Sequence, residues 1–158
     1  MKYGLVTVAA AVPSVRVADT EFNLRAIECQ VARAEGMGGE VMCFPELSLT
    51  GYSCQDLFGS QLLVDKAEEA LLQLLDFTRK LDVISIVGMP VAAGGLLLNC
   101  AVVVQKGCLL GIVPKTYLPN YNEFYEKRWF ASARDLRPTE ICLAGNTIVV
   151  SPEPKVFA

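Results

Sequence analysis

The sequence predicts an α/β chain with a mixed β-sheet, and three observations carry that prediction. Short apolar runs alternate with two long stretches whose apolar residues recur at helical spacing, which gives a β-α-β-α-β order. Further apolar runs then follow one another across glycine-containing turns, the pattern of hairpins. Two of the runs, finally, stop at a proline followed at once by a charged residue, at Pro45-Glu46 and Pro114-Lys115.

In chain order, a first strand is expected over Tyr3 to Ala10 and a helix over about Asp19 to Glu35. Asp19 can accept from the free amides of the first turn, Glu21 suits the helix dipole, and Gly36-Met37-Gly38-Gly39 ends the helix. Phe22, Ala26, Ile27 and Ala34 supply its expected core-facing stripe. A strand from Glu40 and a polar loop through Phe58 lead to a second helix over about Gln61 to Leu81. Leu63, Ala67, Ala70, Leu71, Leu74 and Leu75 form its apolar face, and Lys66, Glu68, Glu69 and Lys80 stay wet.

Strands are expected at Val83 to Met89, Leu96 to Gln105 and Cys108 to Val113, the last two joined at Lys106-Gly107. Val83 to Val104 carries no formal charge over 22 residues, long enough to span a bilayer. Gly88, Pro90, Gly94, Gly95 and Asn99 interrupt it, however, and Ala93-Gly94-Gly95 sits where a hairpin turn belongs, so it reads as two strands. The glycine cluster at 36–39 precedes a strand instead of opening a helix, which argues against a phosphate loop.

Composition narrows the function classes. The chain has 158 residues, 53% hydrophobic and 20% charged, enough for one packed domain. Its net charge is −3 and no run of Lys or Arg is present, so nothing draws nucleic acid or an anionic membrane. Six cysteines without a C-x-x-C pair, in a chain with no His, provide no zinc ligand set. Reduced thiols of a cytoplasmic protein are the expectation, with a secreted disulfide framework as the alternative. Cys43 and Cys100 lie inside apolar segments, where a free Cys behaves as a small hydrophobe. The N-terminus lacks a basic start and a small-residue cleavage site, so Leu5 to Val12 reads as strand instead of signal peptide.

The run Val41-Met42-Cys43-Phe44 is apolar enough to be buried on both sheet faces, and Pro45 should end it, releasing Glu46 at a strand's carboxyl end. That is where α/β sheets bind ligands. Gly51-Tyr52 adds a turn and an aromatic wall; capping of a turn or a surface ion pair is the plainer role for Glu46. From Pro114-Lys115 to Phe130 a charged loop holds Tyr117, Tyr121, Tyr125 and the only Trp, Trp129. Such aromatics line recognition pockets or pin a surface loop. Glu46 and Lys115 each follow a strand and a proline, so opposite charges are expected to meet at one end of a sheet. With no His, a general base must be a carboxylate, a Lys or a Tyr, which points to Glu46 and Lys115.

The stretch 44–52 (Phe-Pro-Glu-Leu-Ser-Leu-Thr-Gly-Tyr), with Pro114-Lys115, Tyr117-Leu118-Pro119-Asn120-Tyr121 and the run from Glu123 to Phe130, resembles the nitrilase (carbon-nitrogen hydrolase) superfamily. Gly51 to Phe58, Leu118 to Tyr121 and Glu123 to Arg128 are similar, more narrowly, to the amino-terminal glutaminase domains of glutamine-dependent NAD synthetases. The resemblance implies an α-β-β-α sandwich of which only the N-terminal part is present. It also implies Glu46 as general base, Lys115 as stabiliser of the oxyanion and Glu126 as the group orienting Lys115, with Tyr52 and Tyr121 lining the glutamine pocket.

The family's nucleophilic Cys lies beyond a further strand, beside an acidic residue. Cys142 comes too soon after Lys115 and has no such neighbour, so it is expected to be structural. Asn146 to Val150 is similar to the strand before the nucleophile strand, and residues 1–158 are therefore expected to be a glutaminase-domain fragment, inactive alone. The resemblance implies no metal or cofactor within these residues. ATP and magnesium belong to a separate synthetase domain of the same polypeptide, which amidates nicotinate adenine dinucleotide with the released ammonia. The expected partners are glutamine, the rest of that polypeptide and further copies in a homo-oligomer, with neither nucleic acid nor membrane. A free-standing amidase or carbamoylase, or a non-catalytic assembly module, are the alternatives.

Overall fold

Helical and extended segments alternate as the sequence leads one to expect, and the computed structural model, which describes residues 4–157, sets their bounds. β1 (Val8–Ala10), α1 (Thr20–Gly36), β2 (Val41–Cys43), α2 (Gln61–Thr78), β3 (Ile84–Ala93), β4 (Leu96–Gln105) and β5 (Cys108–Pro114) make the main sheet and its cover. β6 (Thr139–Leu143) and β7 (Asn146–Val150) form a separate two-stranded hairpin. Tyr3, the expected start of the first strand, lies outside the described residues; ladder pairing in that strand spans only Val8–Ala10.

The sheet order is β1-β2-β3-β4-β5. β1, β2 and β3 are parallel because a helix carries each connection, and β3, β4 and β5 are antiparallel because two-residue turns do. Both central residues of each hairpin have positive φ: Gly94 and Gly95 at 59° and 77°, Lys106 and Gly107 at 51° and 76°, Ala144 and Gly145 at 46° and 74°. These are the primed turns whose twist matches that of the strands they join. The last of them closes β6 onto β7, a pairing the sequence reading did not anticipate because it recognised no strand over Thr139–Leu143.

Pro90 lies inside β3, opposite Asn99 of β4. Two residues earlier, Gly88 aims its N–H at Ser48 Oγ and its carbonyl at Leu49 N, away from β4. Pro90 faces the same way, so the ladder to β4 loses no donor.

α1 starts at Asp19, whose carboxylate accepts from Phe22 N at 3.0 Å. Its buried stripe is Asn23, Leu24, Ile27, Val31 and Ala34. Phe22 and Ala26 are only half-buried, so the expected stripe was turned slightly around the axis. The cause is Asn23: its amide reaches inward to Arg16 O and Leu49 O and seats that face of the helix. In α2 all six expected apolar residues are buried, though the helix ends at Thr78, three residues before Leu81. The expected polar loop is largely a kinked 3-10 segment, Tyr52–Gly59, pinned by buried Cys54 and Phe58.

Both helices cover the sheet face that carries Met42, Val87, Val102 and Ile112. The opposite face is covered only in part, by Phe157 over Gly111 and by the bend at Leu47 over Gly88. Cross-strand partners share a face, and the row Ala10, Cys43, Ile86 and Val103 belongs to this second side, as do Val41, Ile84, Ala101 and Val113. Ala10, Cys43 and Val113 are exposed there. The expectation that β2 is buried on both faces is thus corrected, and with it the placement of Cys43 as a core hydrophobe; Cys100, on the helix side, is buried as expected. No described helix is long and apolar enough to cross a membrane, and Val83–Val104 forms the β3–β4 hairpin.

Candidate functional site

Glu46 and Lys115 follow β2 and β5, which stand three strand spacings apart in the sheet, about 14 Å at ~4.8 Å per spacing. Their side chains nevertheless meet: Lys115 Nζ lies 2.6 Å from Glu46 Oε2. The chain after β2 closes the gap by crossing over β3. Phe44 N still donates to Ile86 O, and then Leu49 N donates to Gly88 O while Gly88 N donates to Ser48 Oγ. Gly88 permits this approach, because a Cβ there would stand 2.2 Å from Leu47 N and 2.7 Å from Glu46 Cα. Leu47, at φ 52°, is fully buried against Cys54, Phe58, Leu63 and Phe130, so it anchors the bend from below. Glu46, released above it, remains 43% exposed in its side chain.

Lys115 is held at both ends of its backbone unit, its N–H donating to Asn99 O and its carbonyl accepting from Ala133 N. Nζ bridges two carboxylates, reaching Glu126 Oε1 at 2.8 Å as well as Glu46. Glu126 opens a single 3-10 turn, Glu126–Arg128, and its side chain is 1% exposed. Its Oε1 also accepts from the Tyr52 hydroxyl at 2.9 Å, whereas its buried Oε2 meets no partner among the described residues. Asn99 completes the cluster, with Nδ2 3.2 Å from Glu46 Oε2.

The charges move the titrations in a definite sense. Burial acts to lower the pKa of Lys115, but the hydrogen bonds and charges of Glu126 and Glu46 outweigh it and the net direction is up. For Tyr52, burial comes first, followed by the bond to Glu126 and the charges of Glu126, Glu46 and Glu123; all raise it above an ordinary tyrosine. Lys115 is therefore a firmly protonated cation and Tyr52 a neutral donor.

Of the residues singled out from sequence, Glu46, Lys115, Glu126 and Tyr52 form one connected hydrogen-bonded set. Tyr121 is not bonded to it. It is well exposed and packs edge-on against Phe124 at 5.6 Å, which in turn packs edge-on against Tyr52 at 6.4 Å. Sequence reasoning missed Gly88 and Asn99, which it used only as interruptions of an apolar run. The available signal was that an amide and a glycine interrupt two apolar strands that otherwise carry no polar side chain at that end. Cys142 is exposed on β6, on the hairpin outside the main sheet.

Two cavities lie nearby. One, of about 350 Å³, opens on the second sheet face between Cys43, Glu46, Gly88, Ala101, Val113 and Lys115. The other, a cleft of about 1010 Å³, runs along Tyr117, Tyr121, Lys127 and Trp129 and includes neither Glu46 nor Lys115. Behind it Asp56 accepts from Arg128 Nε at 2.7 Å and Trp129 Nε1 at 2.9 Å, bonds that lower its pKa to about 2 and tie the Tyr52–Gly59 segment to the loop carrying Glu126. No group of three Cys, Asp or Glu among the described residues converges as a metal ligand set.

Comparison with known proteins supplies the family. The chain is 36% identical over 138 residues to the glutamine-dependent NAD(+) synthetase of Mycobacterium tuberculosis (strain ATCC 25618 / H37Rv), which is 87% of this chain and 20% of that protein. It spans about a fifth of the length of the curated relatives it matches most fully. Among solved structures, a glutamine-dependent NAD(+) synthetase from Cytophaga hutchinsonii superposes with a TM-score of 0.83 at 26% identity, over 91% of this chain and 24% of that one. An amidase from Nesterenkonia sp. shares the fold, with a TM-score of 0.68 at 21% identity over 92% of this chain and 54% of that one. The family model described as carbon-nitrogen hydrolase matches residues 6–153, so the chain belongs to the carbon-nitrogen hydrolase family.

Proposed function

We propose that this chain forms part of the glutaminase unit of a glutamine-dependent NAD synthetase, in which Glu46, Lys115 and Glu126 serve hydrolysis of the glutamine side-chain amide. The observation that carries the reading is the Lys115 ammonium bridging Glu46 Oε2 and Glu126 Oε1, in a chain of this family that is similar to NAD synthetases over most of its length.

A thiol supplied from outside these residues transfers its proton to Glu46 as its sulfur attacks the amide carbon. The carbonyl oxygen, now an oxyanion, faces the Lys115 ammonium, which is already in place and does not reorganise during the reaction. Collapse of this intermediate breaks the C–N bond, and Glu46 returns the proton so that ammonia leaves and a thioester remains. Water, deprotonated by Glu46, then releases glutamate and restores the thiol. Glu126 fixes Lys115 from behind, and Tyr52 shields that buried carboxylate. Tyr121 walls the glutamine pocket. The ammonia passes to a synthetase domain of the same polypeptide, where ATP and magnesium drive amidation of nicotinate adenine dinucleotide. In the cell the intact protein works in the cytoplasm as a homo-oligomer.

Glu46→Gln in the intact polypeptide is the sharpest test, because Glu46 is half exposed and its loss strands no buried charge. NAD formation from glutamine should fall by at least about 100-fold, as expected for losing a general base. NAD formation from free ammonia should stay within about twofold. Equal loss of both, together with a lowered melting temperature, would remove Glu46 from the catalytic set.

A further inference from the structure

The two oxygens of Glu46 are not equivalent. Oε2 receives the Lys115 ammonium at 2.6 Å and the Asn99 amide at 3.2 Å, while Oε1 has no such bonds among the described residues. The Asn99 amide must present its NH2 group here, since the oxygen it faces belongs to a carboxylate beside a cation and can only accept. Asn99 is itself held by the sheet. Its side chain is buried within β4, and its own carbonyl accepts from Lys115 N, so one residue holds the backbone of the cation and the carboxylate of its partner.

We propose that Asn99 is a positioning residue that locks the rotation of the Glu46 carboxylate and so dedicates Oε1 to proton transfer. A lone bond from Lys115 leaves the carboxylate free to turn about its terminal torsion, which has broad, nearly two-fold preferences. A second donor arriving on the same oxygen from a rigid strand removes that freedom. Glu46 and Lys115 both line the 350 Å³ cavity on the second sheet face, so a reacting group there has access to both, and Oε1 is the carboxylate oxygen that neither Lys115 nor Asn99 occupies.

The inference rests on the reading of Glu46 as general base, and the experiment separates the two. In the intact polypeptide, Asn99→Leu removes the donor at nearly constant volume, and Asn99→Asp keeps the shape but turns the donor into a like charge. For Asn99→Leu, kcat for glutamine hydrolysis should fall about 10- to 100-fold, the range for a hydrogen bond to a charged group. KM for glutamine and NAD formation from free ammonia should hold within about twofold. Asn99→Asp should be slower still, and Asn99→Ser, which folds without a like charge, should match the leucine variant. A wild-type kcat in Asn99→Leu or Asn99→Ser, with Glu46→Gln inactive, overturns the role of Asn99 alone. Full activity in Glu46→Gln overturns the base assignment beneath it. Parallel loss of both nitrogen-donor reactions in all three Asn99 variants makes the residue structural and likewise ends the proposal.

Discussion

Gly88 lies directly beneath the peptide that joins Glu46 to Leu47, with no room for a methyl group between them. The obstruction is backbone, not the flexible end of a side chain, so Gly88→Ala has to lift the bend. Overpacking of this kind costs about 1–3 kcal/mol, to be read by chemical denaturation. Lifting the bend also draws Glu46 away from Lys115 and Asn99. In the intact polypeptide, glutamine hydrolysis should therefore fall by about 100-fold, the penalty for roughly 1 Å of misplacement, with the ammonia-dependent reaction retained. An unchanged rate would mean that the bend re-forms around the methyl group.

Lys115→Met should be more damaging to stability than Glu46→Gln, because it leaves the fully buried carboxylate of Glu126 without its cation. Breaking a buried pair from one side costs about 3–5 kcal/mol. Replacing Glu126 by Gln in the same chain should recover much of that loss, since a neutral amide needs no counter-charge. A double-mutant cycle on melting and denaturant midpoints measures the coupling, which should exceed about 1 kcal/mol.

Stability should decline on the alkaline side. Lys115 and Tyr52 both have folded-state pKa values raised above their unfolded ones, so the protonated form of each is favoured by folding. Their contribution is complete below about pH 10, where the unfolded groups begin to titrate, and is lost as pH rises through the folded values. Melting temperatures measured from pH 8 to 12 should hold to about pH 10 and fall above it, and Tyr52→Phe should shrink the fall. A Tyr52→Phe curve parallel to the parent would show that the phenol does not contribute.

The exposed part of the second sheet face predicts association. Cys43 and Val113 are exposed and Ile86 and Ala101 half-buried beside them on one face, and contiguous apolar patches of this sort pack against one another. The isolated 158-residue chain should sediment as dimers or larger species at micromolar concentration. Val113→Lys, at the exposed end of the row, should shift it toward monomer. Monomeric sedimentation of the parent chain would show that the face is tolerated in water.

The same isolated chain should release no ammonia from glutamine above background, and Cys142→Ser should change nothing. Cys142 is displayed on the β6–β7 hairpin and not in the main sheet, whose strands β2 and β5 lead into Glu46 and Lys115. Turnover lost on Cys142→Ser would make that thiol the nucleophile.

Local chemistry made much of the architecture legible. The Asp19 cap, the leucine face of α2 and the turns at Gly94-Gly95 and Lys106-Gly107 depend on neighbours within a few residues, and all stand as expected. The meeting of Glu46 with Lys115 was legible because each charge follows a proline that ends a strand. What remained hidden depends on contacts distant in sequence. Nothing near Gly88 reveals that another backbone crosses it, nothing near Asn99 reveals a carboxylate 53 residues away, and β2 reads as doubly buried because a run of apolar letters does not say which face is covered. The stripe of α1 was misjudged for the same reason: Asn23 points inward only because Leu49 O is there to receive it.

An ammonium group has three N–H bonds, and two of those on Lys115 are committed, one to Glu46 and one to Glu126. Tetrahedral geometry then leaves the third a single direction. Lys115 thus behaves as a tripod with two feet planted, and whatever oxygen it serves has to come to the remaining foot. The family of poses open to a ligand is set by that vector before any pocket wall is considered, and a lysine with only one carboxylate neighbour, free to spin about its last carbon, could not impose it.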